Sequence, residues 1–290
     1  MKQIKKRPTE VFGFDCDANL NEKAFRLAIK QQYCKYIKST CIKPRKSEPT
    51  VKVGICSLGA SMANDKAMKP IIICPQRFKE ESVFETVRQQ YLDSWKNVKW
   101  IPEVNIGVGG SVDFVAVEVG KNGEIKDFLC VELQAAGTTG SPYPAVQEII
   151  SSGKFESESY NYGINWANEF SKTMMQQAYK KGKILESWKR KIVFVVQDVA
   201  IDYLKTATDC SMLTRSNKKH PVDFCTFKMV WDGNKNWNLA FDKIYSTTIE
   251  GVNLMLGGAA VNEYPTEEEF IQNIIKKGVA DGILNRNYYF

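Results

Sequence analysis

One histidine, His220, is all that the 290 residues contain, and it sits in a Lys-rich segment just before Pro221. Any Ser-His-Asp or Cys-His mechanism would hang on that single imidazole, and its setting reads as a surface loop, so hydrolases with a histidine base are set aside. Long apolar runs are missing as well. No stretch approaches the roughly 18 to 20 residues that span a bilayer, and the basic start MKQIKKRPTE leads into no apolar signal region. The expectation is a soluble protein of a cytoplasm, with no membrane partner. Repeats, heptads and low-complexity tracts are absent too, which excludes solenoids and coiled coils.

With 43% hydrophobic and 25% charged residues the chain can bury a sizeable core, as one large or two closely joined domains. Forty Lys and Arg against 33 Asp and Glu give a net +7, which suits an anionic partner and equally suits solubility. Two basic stretches, KKGKILESWKRK at 180–191 and RSNKKH at 215–220, are where phosphates would be met, against the alternative of solvated surface.

Helical spacing appears at 21–38, at 78–95 through Phe84, Val87, Tyr91, Leu92 and Trp95, and at 160–183 through Trp166, Phe170, Met174 and Ala178. Between the last two lie VKWIPEVNIG, SVDFVAVEVG and FLCVELQAAG, rich in Val, Ile and Phe and punctuated by Gly, Asn and Pro, which read as three consecutive strands; a Gly, Thr, Ser and Pro loop follows at 137–144. KIVFVVQDV at 191–199 reads as a buried strand. A strand pair and a terminal helix capped at Thr266 complete the expected α/β order.

The most informative feature is a pair of carboxylates. If Asn122 and Gly123 form the middle of a two-residue hairpin turn, residues whose numbers add to 245 lie opposite one another, and Asp113 faces Glu132. Gln134 then shares the face of Glu132, because strand side chains repeat every two residues. Two facing anions in apolar strands must be protonated, paired or metal-bound, and oxygen donors suit Mg²⁺ or Mn²⁺. Such an ion activates water and neutralises charge in phosphodiester cleavage. Glu103, in PEVNIG, is a further carboxylate for metal or proton transfer. Solvated residues on an open sheet face are the competing reading.

A helix followed by GSVDFVAV and then VELQ resembles the PD-(D/E)XK nuclease core, a mixed central sheet flanked by helices, with Glu-x-Gln in place of Glu-x-Lys. That lysine is usually credited with polarising the attacking water; Gln134 can orient a water but brings no charge. The amino-terminal half, with EVFGFD, YCKYIKSTCIKP, GICS and IIICPQRF, is similar to the NotI-type restriction endonucleases. The resemblance implies Glu103, Asp113, Glu132 and Gln134 as the catalytic set, with Asp113 and Glu132 holding Mg²⁺. It also implies Cys34, Cys41, Cys56 and Cys74 as four ligands of a structural iron or zinc. Without it, the 6, 14 and 17-residue gaps fit no CxxC-type finger and leave four separate buried thiols as an alternative. Cys16 is a reserve ligand, and Cys130, Cys210 and Cys225 are read as packing residues.

The implied organisation is an N-terminal metal-binding region over 1–77, a catalytic core over 78–200, and strands and a helix over 201–290 that complete the fold or contact DNA. The implied function is type II cleavage of double-stranded DNA at a specific, palindromic site by a homodimer, in a prokaryotic cell with a cognate DNA methyltransferase. A repair or junction-resolving nuclease, or a DNA-binding module that has lost cleavage, are the alternatives.

Overall fold

The N-terminal third, read from sequence as a helix and an irregular connection, is largely β. Strands β1 (Pro8–Val11), β2 (Phe14–Asp15), β3 (Ile55–Met62) and β4 (Asp65–Ile72) form an antiparallel sheet in the order β2-β1-β3-β4. Helix α1 (Lys23–Gln31) is shorter than the expected 21–38, because Gln32 takes a left-handed conformation at φ 52° and a short hairpin through Tyr33–Cys34 and Ser39–Thr40 follows. This computed structural model describes residues 2–45, 47–62, 65–257 and 271–272. Met1–Leu256 is one unit, and the helix expected from Thr266 lies outside the described residues.

After a 3-10 turn at Pro75–Lys79 and helix α2 (Glu81–Tyr91), the chain enters a seven-stranded sheet. Its strands are β5 (Val98–Asn105), β6 (Ser111–Val119), β7 (Ile125–Gln134), β8 (Ile192–Gln197), β9 (Thr214–Arg215), β10 (Val222–Trp231) and β11 (Trp237–Thr247). The spatial order is β9-β11-β10-β8-β7-β6-β5. β5, β6 and β7 form the antiparallel meander expected from sequence, β8 runs parallel to β7, and β10 runs parallel to β8.

Both faces of this sheet are covered. Cys130, Ile192, Phe194 and Phe224 pack with residues of helix α4 (Met175–Ser187) on one face. Leu129, Val131, Val193 and Val195 pack with Val83 and Val87 of α2 on the other. That is why the central strands read as near-continuous apolar runs rather than alternating ones.

The α4 region differs from its sequence reading at both ends. Residues 160–165 are not helical; the first turns, Ala167–Met174, are π-helical, and the helix runs on to Ser187. Three helices went unread: α3 (Tyr143–Ser152), which starts at the end of the 137–144 loop and runs beyond it, α5 (Asp198–Ala207), which follows β8 without a break, and α6 (Ile249–Met255). No helix among the described residues is long and apolar enough to cross a membrane.

A buried ion cluster joins the small sheet to the turn at Pro75–Lys79. Arg77 is fully buried; its Nε donates to Glu10 Oε2 at 3.0 Å, its Nη2 to the Trp237 carbonyl at 2.8 Å, and its Nη1 pairs with Glu80 Oε1 at 2.6 Å. Glu10 also accepts from Tyr36 Oη at 2.8 Å and Ser57 Oγ at 2.7 Å. Removing one partner of such a cluster strands a buried charge, at a cost of about 3–5 kcal/mol. The turn ahead of α2 is therefore held rigidly against strand β1.

Candidate active site

The carboxylate hairpin has the expected register by a different route. Phe114 faces Val131, Val115 faces Cys130 and Glu118 faces Asp127, all pairs adding to 245. The turn, however, spans Lys121, Asn122 and Gly123 between the paired Gly120 and Glu124, with Gly123 at φ 84°, and the register shifts by one between Glu118 and Val119. A three-residue loop and a bulge cancel, so the two-residue turn is corrected while the pairing it implied survives.

Extending that register by one pair sets Asp113 across from Glu132. On the other side, Val112 faces Val104 and Phe114 faces Pro102, which sets Glu103 beside Asp113. Carboxylates thus stand at neighbouring positions on β5, β6 and β7, and the Asp113 charge acts on Glu132. Glu103 is exposed and adopts a left-handed φ of 53°, an uncommon conformation for glutamate that turns it off the regular pleat. Asp113 and Glu103 line one small cleft with Gln76, Lys79 and Leu133. Asp113 Oδ2 accepts from the Leu133 amide at 2.8 Å, which fixes the carboxylate against the neighbouring strand.

Glu132 is 6% exposed and faces helix α4, where the Lys181 ammonium donates to its Oε1 at 2.5 Å. Burial pushes the Glu132 carboxyl up to about 7; the hydrogen bond from Lys181 opposes this, and the Asp113 charge adds to it. Desolvation outweighs the ion pair here. Gln134, partly buried at the end of β7, donates from Nε2 to the Ala135 carbonyl at 3.0 Å.

Lys181 was missed in the sequence, although a signal was present. Met174, Ala178 and Leu185 mark the buried stripe of the helix, and Lys181 falls on it, so a cation there requires an internal partner. The basic stretch 180–191 is also less available to phosphates than its composition suggests. Lys181 is buried, Arg190 pairs with Asp127, and Lys191 pairs with Asp223 at 2.8 Å.

Cys34, Cys41, Cys56 and Cys74 come from four separate segments and line one cavity of about 310 Å³. Burial raises the thiols of Cys34, Cys56 and Cys74, and neighbouring cysteines raise each further, so the sulfurs sense one another. Among the described residues, however, no three Cys, His, Asp or Glu side chains stand grouped as a metal site. Cys16 lies apart, beside Asp15, Asp17 and Glu10, and does not line this cavity. Cys130 and Cys225 are buried in the two core layers. Pro75 and Gln76 form a wall common to the cysteine cavity and the carboxylate cleft.

No curated protein matches the chain. The model of the family described as Restriction endonuclease NotI matches residues 23–218, about two thirds of the sequence, from the start of α1 through the cysteine segments, the carboxylate hairpin and β8 to β9. The chain therefore belongs to the NotI restriction endonuclease family, whose members are site-specific deoxyribonucleases of type II.

Proposed function

We propose that the protein hydrolyses phosphodiester bonds of double-stranded DNA at a palindromic site, with Mg²⁺ held by Asp113 and Glu132. The placement of Glu103, Asp113 and Glu132 at neighbouring positions on three adjacent strands is the observation that carries this reading. The donors fit the ion, since carboxylate oxygens suit Mg²⁺. When bound, the ion supplies charge neutralisation at the phosphate and acidifies water. The chain's own residues do the rest. The Leu133 amide orients Asp113, Glu103 at the open edge of the cleft accepts the proton released by water, and Gln134 orients that water through its amide.

The order of one helix, three strands, two helices and a parallel strand, with both carboxylates on the meander, supports a PD-(D/E)XK core over 78–200, preceded by a metal-binding region over 1–77 and followed by 201–290. A homodimer would match the two-fold symmetry of a palindrome, one site per strand. A cognate methyltransferase in the same prokaryotic cytoplasm would protect the host's own sites. Incubating the protein with unmodified phage DNA and Mg²⁺ should give discrete fragments that vanish on chelation. A smear, or cutting confined to branched DNA, would instead indicate a repair or junction-resolving enzyme.

The four cysteines are proposed to bind one iron or zinc. What supports this is the chemistry of four buried thiols lining one cavity, soft donors of the kind that hold iron or zinc in sites that stabilise a fold rather than perform catalysis. Freshly purified protein should carry about one iron or zinc per chain, and Cys34→Ser or Cys56→Ser should lower both the metal content and Tm. Elemental analysis finding neither metal would remove the assignment.

A further inference from the structure

We propose that Lys181 is a positioning residue for cleavage, supplying from helix α4 the fixed cation that neutral Gln134 cannot bring to Glu132. The proposal rests on the reading of Asp113 and Glu132 as the metal-binding pair.

The ammonium is fully engaged. Its Nζ donates to Glu132 Oε1 at 2.5 Å, to the Ser111 carbonyl at 2.7 Å and to Gln177 Oε1 at 3.2 Å, which uses all three of its donors. Gln177 lies one turn earlier on the same helix. Ser111 opens β6 two residues before Asp113. Lys181 therefore ties the strand carrying one carboxylate to the carboxylate of the next.

Its stem is equally constrained. A Cβ placed on Gly109 would lie 3.3 Å from Lys181 Cγ, so the turn before β6 packs directly on the lysine side chain. A Cβ on Gly182 would come within 2.8 Å of both Ile249 Cδ1 and Val222 Cγ2, so the helix backbone lies hard against its neighbours. A surface lysine swings through many rotamers; this one is 4% exposed and held at both ends. With one Glu132 oxygen fixed, the carboxylate is held in a single orientation on β7. A preorganised cation behind Glu132 then holds that carboxylate in place while charge builds during reaction.

Lys79 is the other cation near the site, lining the cleft with Glu103 and Asp113, but its Nζ lies 5.2 Å from the centre of the Phe114 ring and lacks comparable anchorage. It serves as the comparison. Four variants are measured beside wild type for single-turnover cleavage at saturating Mg²⁺ and for Ca²⁺ affinity by calorimetry: Lys181→Met, Lys181→Arg, Lys79→Met, and Lys181→Met combined with Gln134→Lys. Lys181→Met should lose cleavage by at least about 100-fold, the effect of removing one preorganised charge-stabilising group. It should bind Ca²⁺ no more weakly than wild type, since a positive neighbour has gone from the ligand. Lys181→Arg should stay within about tenfold of wild type, and the double variant should regain at least about tenfold over Lys181→Met, because each keeps a cation at the site.

Cleavage by Lys181→Met within about threefold of wild type would reduce Lys181 to a passive counter-ion and overturn the proposal. So would a double variant no better than Lys181→Met, or a loss confined to Lys79→Met. If Lys181→Met does not fold, Lys181→Arg decides, and a loss beyond about 100-fold there overturns the idea. Glu132→Ala separates the two levels: wild-type cleavage by it sinks the metal-site reading itself, whereas an inactive Glu132→Ala beside an active Lys181→Met sinks only the role of Lys181.

Discussion

Replacing Glu132 with alanine is expected to lower DNA cleavage by at least about 10⁴-fold, equivalent to about 5.5 kcal/mol of transition-state stabilisation. The side chain is the central carboxylate of the proposed metal site, and no other acidic residue on β7 shares its face near the cleft. DNA affinity measured with Ca²⁺ should change far less, because binding is dominated by phosphate contacts elsewhere. From sequence alone the substitution looks harmless to folding. In the structure it strands the Lys181 ammonium, which is buried against Glu132. Glu132→Gln is therefore the cleaner probe, since its amide oxygen can still accept from Lys181 while the anionic ligand is lost. Both variants should be inactive, with Glu132→Ala alone showing a clearly lower Tm. Cleavage at the wild-type rate by either would refute the site.

Gln134→Ala comes next in size, with an expected loss of about 10²–10³-fold, the scale set by one oriented hydrogen-bonding group at a reacting centre. Gln134→Glu should weaken metal-dependent cleavage by adding a fourth anion to Glu103, Asp113 and Glu132. Gln134→Lys restores the commoner Glu-x-Lys spacing, yet it should also be impaired. Lys181 already occupies the flank of Glu132, and a second cation there competes with the divalent ion. Divalent-ion titrations of the three variants check this. Identical curves for all of them and wild type would show that Gln134 takes no part in catalysis.

The three-strand meander was legible because Val, Ile and Phe cluster between clear breaks, and the facing of Asp113 and Glu132 followed from residue arithmetic alone. That arithmetic succeeded although the turn was misread, since the bulge beside Glu118 restores the count. Helix α3 was hidden because it starts at Tyr143 and Pro144 within a segment of loop-forming residues. Helix α5 was hidden for a different reason. β8 is buried throughout and only Gln197 and Asp198 separate its apolar run from Val199, Ala200 and Ile201, so periodicity does not mark the change from strand to helix at Gln197. The N-terminal strands carry cysteines, glycines and lysines that dilute any alternating pattern. At the site, sequence could supply the carboxylates but not Lys181, whose partner lies 49 residues away. The shared face of a sheet is local information, whereas the strand that a helix covers is not.

The wall built by Pro75 and Gln76 has a consequence for anyone wishing to transplant this nuclease. One side of that wall faces the cysteines and the other faces Asp113 and Glu103. Arg77, next along the chain, bolts it to Glu10. The carboxylate hairpin is therefore not a portable cassette. Grafted alone onto another scaffold it would keep its strands and lose one bank of its cleft. Because Arg77 also donates to the Trp237 carbonyl, the smallest transferable unit runs from β1 to β11, and engineered changes of specificity that alter the cysteine segments should be expected to alter turnover as well.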